Sequence, residues 1–264
     1  MSGIYIHIPF CKQACHYCDF HFSTNLKKKD EMVLALAKEI EMRKSEFQDE
    51  IVETIYFGGG TPSILQIADL KFLIDAVYKN YKVVENPEIT VEANPDDLTE
   101  NRIIELSNNK VNRLSIGIQS FFEDDLQLMN RAHNVEEAKK CLEIATHYFD
   151  NISIDLIYGV PEMSNEKWLQ NIETALSFGV PHISSYALTV EPKTALHSFI
   201  QKGIIPQPDD EVAQEHFQIL VDKLSENGFI HYELSNFGKE NYFSKNNSSY
   251  WLGKKYIGIG PSAH

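Results

Sequence analysis

Residues 4–20 read IYIHIPFCKQACHYCDF, a short β-branched and aromatic run followed directly by a loop that holds three of the chain's four cysteines. The run Ile4–Ile8 predicts a first β-strand. Cys11, Cys15 and Cys18 follow it with the spacing C-x3-C-x2-C. In barrels of parallel strands the chemistry sits where the strands end, so this loop is the first place to expect a functional site.

The alternation of strand-like and helical runs continues along the chain. Strands separated by helices imply right-handed crossovers and a parallel sheet, and six such units are about three-quarters of a TIM barrel. The predicted fold is therefore α/β, a partial (β/α)6 TIM-type barrel. The predicted strands are Ile4–Ile8, Thr54–Phe57, Glu88–Glu92, Val111–Ile118, Ile152–Tyr158 and His182–Leu188, and the predicted helices are Asp30–Ser45, Leu65–Tyr78, Val135–Tyr148 and Asn165–Leu176.

The pattern changes from about Pro192. We predict residues 1–190 as the barrel and residues 191–264 as a barrel-closing extension, which leads into a smaller C-terminal α+β domain that the sequence truncates. In this extension we predict, in order, a helix at Asp209–Asn227, a strand at Phe229–Leu234, a polar loop at Asn241–Ser249 and a strand entering a glycine turn at Lys255–His264.

The bulk composition excludes some classes of function. The chain has 264 residues, of which 43% are hydrophobic, so a sizeable core is expected. Its 24 Lys and Arg against 38 Asp and Glu give a net charge of -14, the wrong sign for a nucleic-acid binder. There is no transmembrane-length apolar run and no signal sequence, so we expect a cytoplasmic protein.

The three clustered cysteines suit a [4Fe–4S] cluster. Three thiolates can bind only three irons of a cubane, which leaves the fourth iron open to a bidentate ligand. The amino nitrogen and carboxylate oxygen of S-adenosylmethionine (SAM) form such a ligand, and SAM belongs to the cofactors of radical chemistry. The spacing therefore predicts a cluster site that also binds SAM.

Two other interpretations of the cysteines stay open on the local sequence. A structural zinc site would take the three cysteines with His7, His16 or His21 as a fourth ligand. Three unligated buried thiols fit less well, because polar neighbours and nearby histidines make a poor core. Cys141, by contrast, follows two lysines on a predicted helix and is expected to be a packed free thiol.

The lead-in Tyr5-Ile-His7-Ile-Pro9-Phe10-Cys11, with motifs spread over nearly the whole chain, resembles the radical SAM family that contains oxygen-independent coproporphyrinogen III oxidase and related heme chaperones. The glycine-rich segment Gly58–Pro62 could by itself be a tight turn. In this context it resembles the family's SAM-binding element, where absent side chains would let backbone amides and carbonyls approach the SAM amino group.

The resemblance implies a [4Fe–4S] cluster on Cys11, Cys15 and Cys18 and SAM contacts near successive strand ends. Arg131 suits the SAM carboxylate or a substrate propionate, and a carboxylate suits the ribose hydroxyls. Taken singly, each polar residue could equally be a structural cap or ion pair. The implied cofactor contacts are Tyr5, Gly59, Gly60, Thr61, Glu92, Gln119, Arg131, Asp155, Ala187 and His264.

Two departures separate this chain from the oxidases of the family. The oxidases carry a long segment before the Tyr-x-His motif, where this chain has four residues, and a further cysteine where this chain has Phe20. The resemblance therefore implies a heme chaperone that carries heme as cargo to hemoproteins, membrane-associated respiratory proteins among them, without coproporphyrinogen oxidase activity. No catalytic residue is assigned. The oxidase is the alternative function, and a zinc-stabilised binding module is a remote one.

Residues Asn246–Trp251 resemble the His-Asn-x-x-Tyr-Trp signature of the chaperone branch. Asn246 replaces the histidine that could bind heme iron, so another ligand such as His7 or His264 would be needed. Tyr250 and Trp251 could stack on a porphyrin, or they could pack a domain interface instead.

Overall fold

The computed structural model describes residues 2–263, which contain one nine-stranded mixed sheet of order β7-β8-β6-β5-β4-β3-β2-β1-β9. The strands are β1 (Ser2–Ile8), β2 (Val52–Gly59), β3 (Val83–Ala93), β4 (Arg113–Gln119), β5 (Ile152–Tyr158), β6 (His182–Ala187), β7 (Ile230–His231), β8 (Asn236–Gly238) and β9 (Tyr256–Ile259). The helices are α1 (Lys29–Met42), α2 (Ile67–Asn80), α3 (Glu100–Ser107), α4 (Glu123–Leu128), α5 (Val135–Tyr148), α6 (Asn165–Ser177), α7 (Ala195–Gln201), α8 (Asp210–Glu226) and α9 (Lys245–Trp251).

The sheet confirms the predicted α/β partial barrel. Strands β1 to β6 pair in parallel in sequence order, and the sheet does not close on itself. The extension supplies both further edges: β9 pairs in parallel with β1, and β8 pairs antiparallel with β6. The domain boundary near residue 190 stays a prediction.

Helix α5 shows how the local sequence builds the outer layer. Asn134 and Glu137 form a capping box that satisfies free backbone N–H groups at its start. The residues it buries recur at helical spacing and face the sheet; they are Ala138, Cys141, Leu142 and Ala145. Cys141 is a buried free thiol, as predicted, and burial raises its pKa to about 12.

Two predictions in the extension are wrong in part. The strand expected at Phe229–Leu234 contains only two residues, Ile230 and His231. The polar loop expected at Asn241–Ser249 becomes helix α9 from Lys245 onward. The side chain of Ser244 caps this helix, and both Glu88 carboxylate oxygens accept from its first backbone N–H groups at 3.1 Å, so contacts distant in sequence stabilise a segment whose own residues are poor helix formers.

The fold separates two ends of the barrel. The loops after the parallel strands meet at the carboxyl ends of the strands, where the cysteine loop follows β1. Helix α9 begins near the opposite ends of β1 and β2, since the Thr54 hydroxyl lies 3.4 Å from the Asn246 side-chain oxygen. No helix within residues 2–263 is long and apolar enough to span a bilayer.

Candidate functional site

One cavity at the carboxyl ends of the strands brings together most of the site residues expected from the sequence. All three clustered cysteines line it, and so do seven of the implied SAM contacts. These residues are Cys11, Cys15, Cys18, Gly59, Gly60, Thr61, Glu92, Gln119, Arg131 and Asp155.

Two expected contacts lie outside this lining, and a third falls on a residue that is not described. Tyr5 is not part of the cavity lining; its ring stacks on that of Tyr56 with 6.0 Å between centroids. Ala187 is the last residue of β6 and is likewise not in the lining. His264 falls outside the described residues.

The lining also contains residues that sequence reasoning did not assign to the site: Gln13, Tyr17, Phe22, Ala93, Asn94, Ser115 and Gly117. Two of these residues could have been predicted from the sequence. Ser115 and Gly117 precede Gln119 at intervals of two on β4, and residues at that interval share one face of a strand. Gln119 itself has φ 67°, a left-handed conformation that costs a non-glycine residue free energy and is often found at functional sites.

The protein positions the cysteine loop by contacts with the segment after α4. Gln13 Nε2 donates to the Asn130 carbonyl at 2.9 Å, and Asn130 Nδ2 donates to the Ala14 carbonyl at 2.8 Å. The backbone N–H of His16 donates to the Met129 carbonyl at 3.0 Å. Hydrogen bonds to this one segment, none of which needs a metal, therefore hold the loop in place.

The three thiols of this loop line one cavity and would bind a metal as thiolates. Burial raises the pKa of Cys11, and it raises the pKa of Cys18 to about 11, so an electrophilic metal is needed to hold them as thiolates. In a cubane each of the three cysteines would bind a different iron.

Arg131 connects the cysteine loop to the strand ends. Its NH1 group donates to Cys15 Sγ at 3.2 Å. Its NH2 group donates to Asn94 Oδ1 at 2.6 Å and to the Gly117 carbonyl at 2.9 Å, and these two bonds fix the plane of the guanidinium. Hydrogen bonds to cysteine sulfurs are among the features that set the reduction potential of an iron–sulfur cluster.

The glycine-rich segment packs against the strand that leads into the cysteine loop. The Gly60 N–H donates to the Ile8 carbonyl at 2.9 Å, and the Thr61 N–H donates to the Phe10 carbonyl at 2.7 Å. A Cβ atom at residue 60 would lie 2.7 Å from both carbonyl oxygens, so only glycine fits there. The amide groups are thus engaged within the protein, and backbone carbonyls are the groups suited to accept from an amino group.

Two acidic side chains with raised pKa values lie on the cavity wall. Burial raises the pKa of Glu92 to about 7, although Tyr56 OH donates to its carboxylate at 2.8 Å. Burial also raises the pKa of Asp155 to about 6, and the nearby positive charges of Arg113 and Arg131 oppose that shift. Such groups can accept from a sugar hydroxyl when ionised and donate to it when protonated.

The residues considered for heme contact are divided between the two ends of the barrel. At the cavity end, His7 uses both ring nitrogens: Nδ1 pairs with Tyr5 OH at 3.2 Å and Nε2 with the His21 carbonyl at 3.1 Å. On α9, the Tyr250 ring packs edge-on against Tyr256. Trp251 is 65% exposed.

The fold and the cavity define a class of protein, and comparison with known families agrees. The chain belongs to the radical SAM superfamily, whose model matches residues 5–175. Its sequence is 39% identical to the heme chaperone HemW of Bacillus subtilis, over 100% of this chain and 70% of that protein. It is 34% identical to the mitochondrial radical S-adenosyl methionine domain-containing protein 1 of Danio rerio, over 100% of this chain and 60% of that protein.

A solved structure shows the same fold. Coproporphyrinogen III oxidase (HemN) from Escherichia coli, a radical SAM enzyme, superposes with a TM-score of 0.85 at 24% identity, over 99% of this chain and 64% of that one. The 39% sequence identity to HemW confirms the resemblance to the heme-chaperone side of the family at the level of sequence. The chain spans 60 to 70% of the length of the two curated relatives.

Proposed function

We propose that this protein is a heme chaperone that binds heme and delivers it to hemoproteins, and that it carries a [4Fe–4S] cluster and SAM. The recipients would include membrane-associated respiratory proteins. Its likeness in sequence to HemW supports this proposal. The observation that carries it is Phe20, an exposed phenyl ring on the cavity lining at the position where the oxidases of the family have a further cysteine.

The cavity residues suit the two cofactors. Cys11, Cys15 and Cys18 would bind three irons, and the cluster when bound would supply single electrons at the open iron. Carbonyls of the segment from Gly59 to Thr61 would accept from the SAM amino group. This segment keeps its shape without a ligand, because its three N–H groups are already hydrogen-bonded within the protein. Gly59 donates to the Glu92 carboxylate, Gly60 to the carbonyl of Ile8 in β1, and Thr61 to the carbonyl of Phe10 just after β1.

The remaining polar groups would contact the other parts of SAM. Glu92 and Asp155 would contact the ribose hydroxyls, and their raised pKa values reflect the cost of burying two ionised acids in one site. Arg131 would face the SAM carboxylate while it keeps its hydrogen bond to Cys15.

The apolar rings would hold the cargo. Phe20 and Phe22 line the cavity, whereas Tyr250 and Trp251 form a separate aromatic surface on α9 near the opposite end of the barrel, so a single heme would contact one pair or the other. Porphyrins bind to sites of this character, in which aromatic side chains supply contact area and a few polar groups fix orientation.

One anaerobic experiment separates this function from the oxidase. The reconstituted protein is incubated with heme in one sample, and with coproporphyrinogen III, SAM and a reductant in another. We expect a stable one-to-one heme complex and no loss of carbon dioxide from the porphyrinogen, measured by absorbance and mass spectrometry. Decarboxylated product would establish the oxidase instead, and zinc in place of iron in the isolated protein would contradict both functions.

A further inference from the structure

The segment after the third cysteine presents a histidine between two phenyl rings. Phe20 is 69% exposed, His21 is exposed, and Phe22 is partly buried; both phenyl rings line the cavity. The backbone here is held in place, since the His21 carbonyl accepts from His7 Nε2 and the Ser23 N–H donates to the Pro9 carbonyl at 2.8 Å. The backbone therefore holds His21 in a fixed position beside the cavity, between two residues of its lining, although His21 itself is not part of that lining.

A histidine that binds heme iron needs a ring nitrogen with an available lone pair. Within residues 2–263, His21 is the one histidine whose ring makes no hydrogen bond; it only meets the His7 ring at 6.3 Å between centroids. The others each engage at least one ring nitrogen, which does not by itself prevent the second nitrogen from binding a metal, but His21 alone stands in sequence between two phenyl rings that line the cavity. The engaged histidines are His7, His16, His133, His147, His182, His197, His216 and His231.

The position that the family signature uses is closed in this chain. Asn246 is 6% exposed, its N–H donates to Glu88 and its side-chain oxygen faces Thr54. It has no imidazole, and it lies near the end of the barrel opposite the cysteines. His7 would have to give up a hydrogen bond on either ring nitrogen before it could bind a metal.

We propose that His21 is the protein ligand of the heme iron, with Phe20 and Phe22 packed on the macrocycle beside it. The proposal rests on the heme-binding function above and assigns it to the mouth of the cluster cavity. His21 supplies the coordinate bond, and the two phenyl rings supply apolar contact that does not depend on iron.

The test compares heme with iron-free protoporphyrin IX in the full chain. His21→Ala is expected to weaken heme binding at least tenfold, about 1.4 kcal/mol, and to remove the spectrum of a histidine-ligated heme. Free imidazole should restore that spectrum. Binding of protoporphyrin IX should be unchanged in His21→Ala and weakened in Phe20→Ala, because the ring without iron cannot be ligated.

His147→Ala is the matched control, since His147 is an exposed histidine on α5 away from the cavity. It should bind heme as the wild type does. If wild type binds heme and both His21→Ala and His21→Gln keep its affinity and spectrum, the assignment of His21 is wrong while the chaperone function stands. If wild type itself binds no heme, both proposals fail.

Discussion

Replacing Cys15 with serine is expected to abolish the visible iron–sulfur absorbance of the anaerobically reconstituted protein and to leave its fold intact. With three cysteines, one iron of the cubane already has no protein ligand. Removing Cys15 would leave a second iron without a thiolate, and two thiolates are too few for a stable cubane. The fold should survive, because Cys15 lies in a loop whose position is fixed without metal. Hydrogen bonds from this loop to Asn130 and Met129 hold it in place. Iron and sulfide content measure the cluster, and far-ultraviolet circular dichroism measures the fold.

Cys141→Ala is the matched control. Cys141 is buried on α5, so its replacement should lower stability modestly but leave iron content and absorbance unchanged. A Cys15→Ser protein that kept full absorbance would contradict the assignment of the three ligands. A Cys15→Ser protein that unfolded while metal-free wild type stayed folded would contradict the view that protein contacts hold the loop.

Replacing Glu88 with alanine is expected to lower the free energy of unfolding by about 3 kcal/mol. The Glu88 carboxylate is 5% exposed and accepts from the N–H groups of Lys245 and Asn246 at 3.1 Å. Hydrogen bonds to a charged group are the stronger kind, and the substitution would leave two buried donors unpaired at the start of α9. Urea denaturation measures the loss.

Glu85→Ala provides the comparison, because Glu85 lies on the same strand with an exposed side chain. It should change the free energy of unfolding by less than about 0.5 kcal/mol. Glu88→Gln keeps one acceptor oxygen and should lie between the two. Equal stability of Glu88→Ala and Glu85→Ala would show that α9 does not depend on this carboxylate.

The sequence predicted the parts of the fold whose cause is local. Strand β5 and helix α5 have the predicted bounds, because buried β-branched runs and a capping box are visible in the chain itself. Helix α9 was missed for the opposite reason. Its residues Asn246, Asn247, Ser248 and Ser249 favour caps and turns, and its start is set by Glu88, which lies more than 150 residues earlier.

The same distinction, between features with a local cause and features that depend on contacts distant in sequence, holds for the site. The family resemblance together with the order of the strand ends led us to expect Glu92, Gln119 and Asp155 in one place, because parallel strands bring their carboxyl ends to one edge. The engaged amides of Gly60 and Thr61 were not foreseeable, since they depend on how closely β1 and β2 approach. Nor was the exposure of His21 between two residues of the cavity lining.

Heme transfer is the most direct test of the chaperone function. The reconstituted protein is loaded with one equivalent of heme and mixed anaerobically with membranes whose respiratory hemoproteins have been depleted of heme. We expect the hemoproteins to regain their absorbance and activity faster than with the same amount of free heme, as heme leaves the protein. If recovery is no faster than with free heme, the protein is not a heme chaperone for these recipients and the central proposal is wrong.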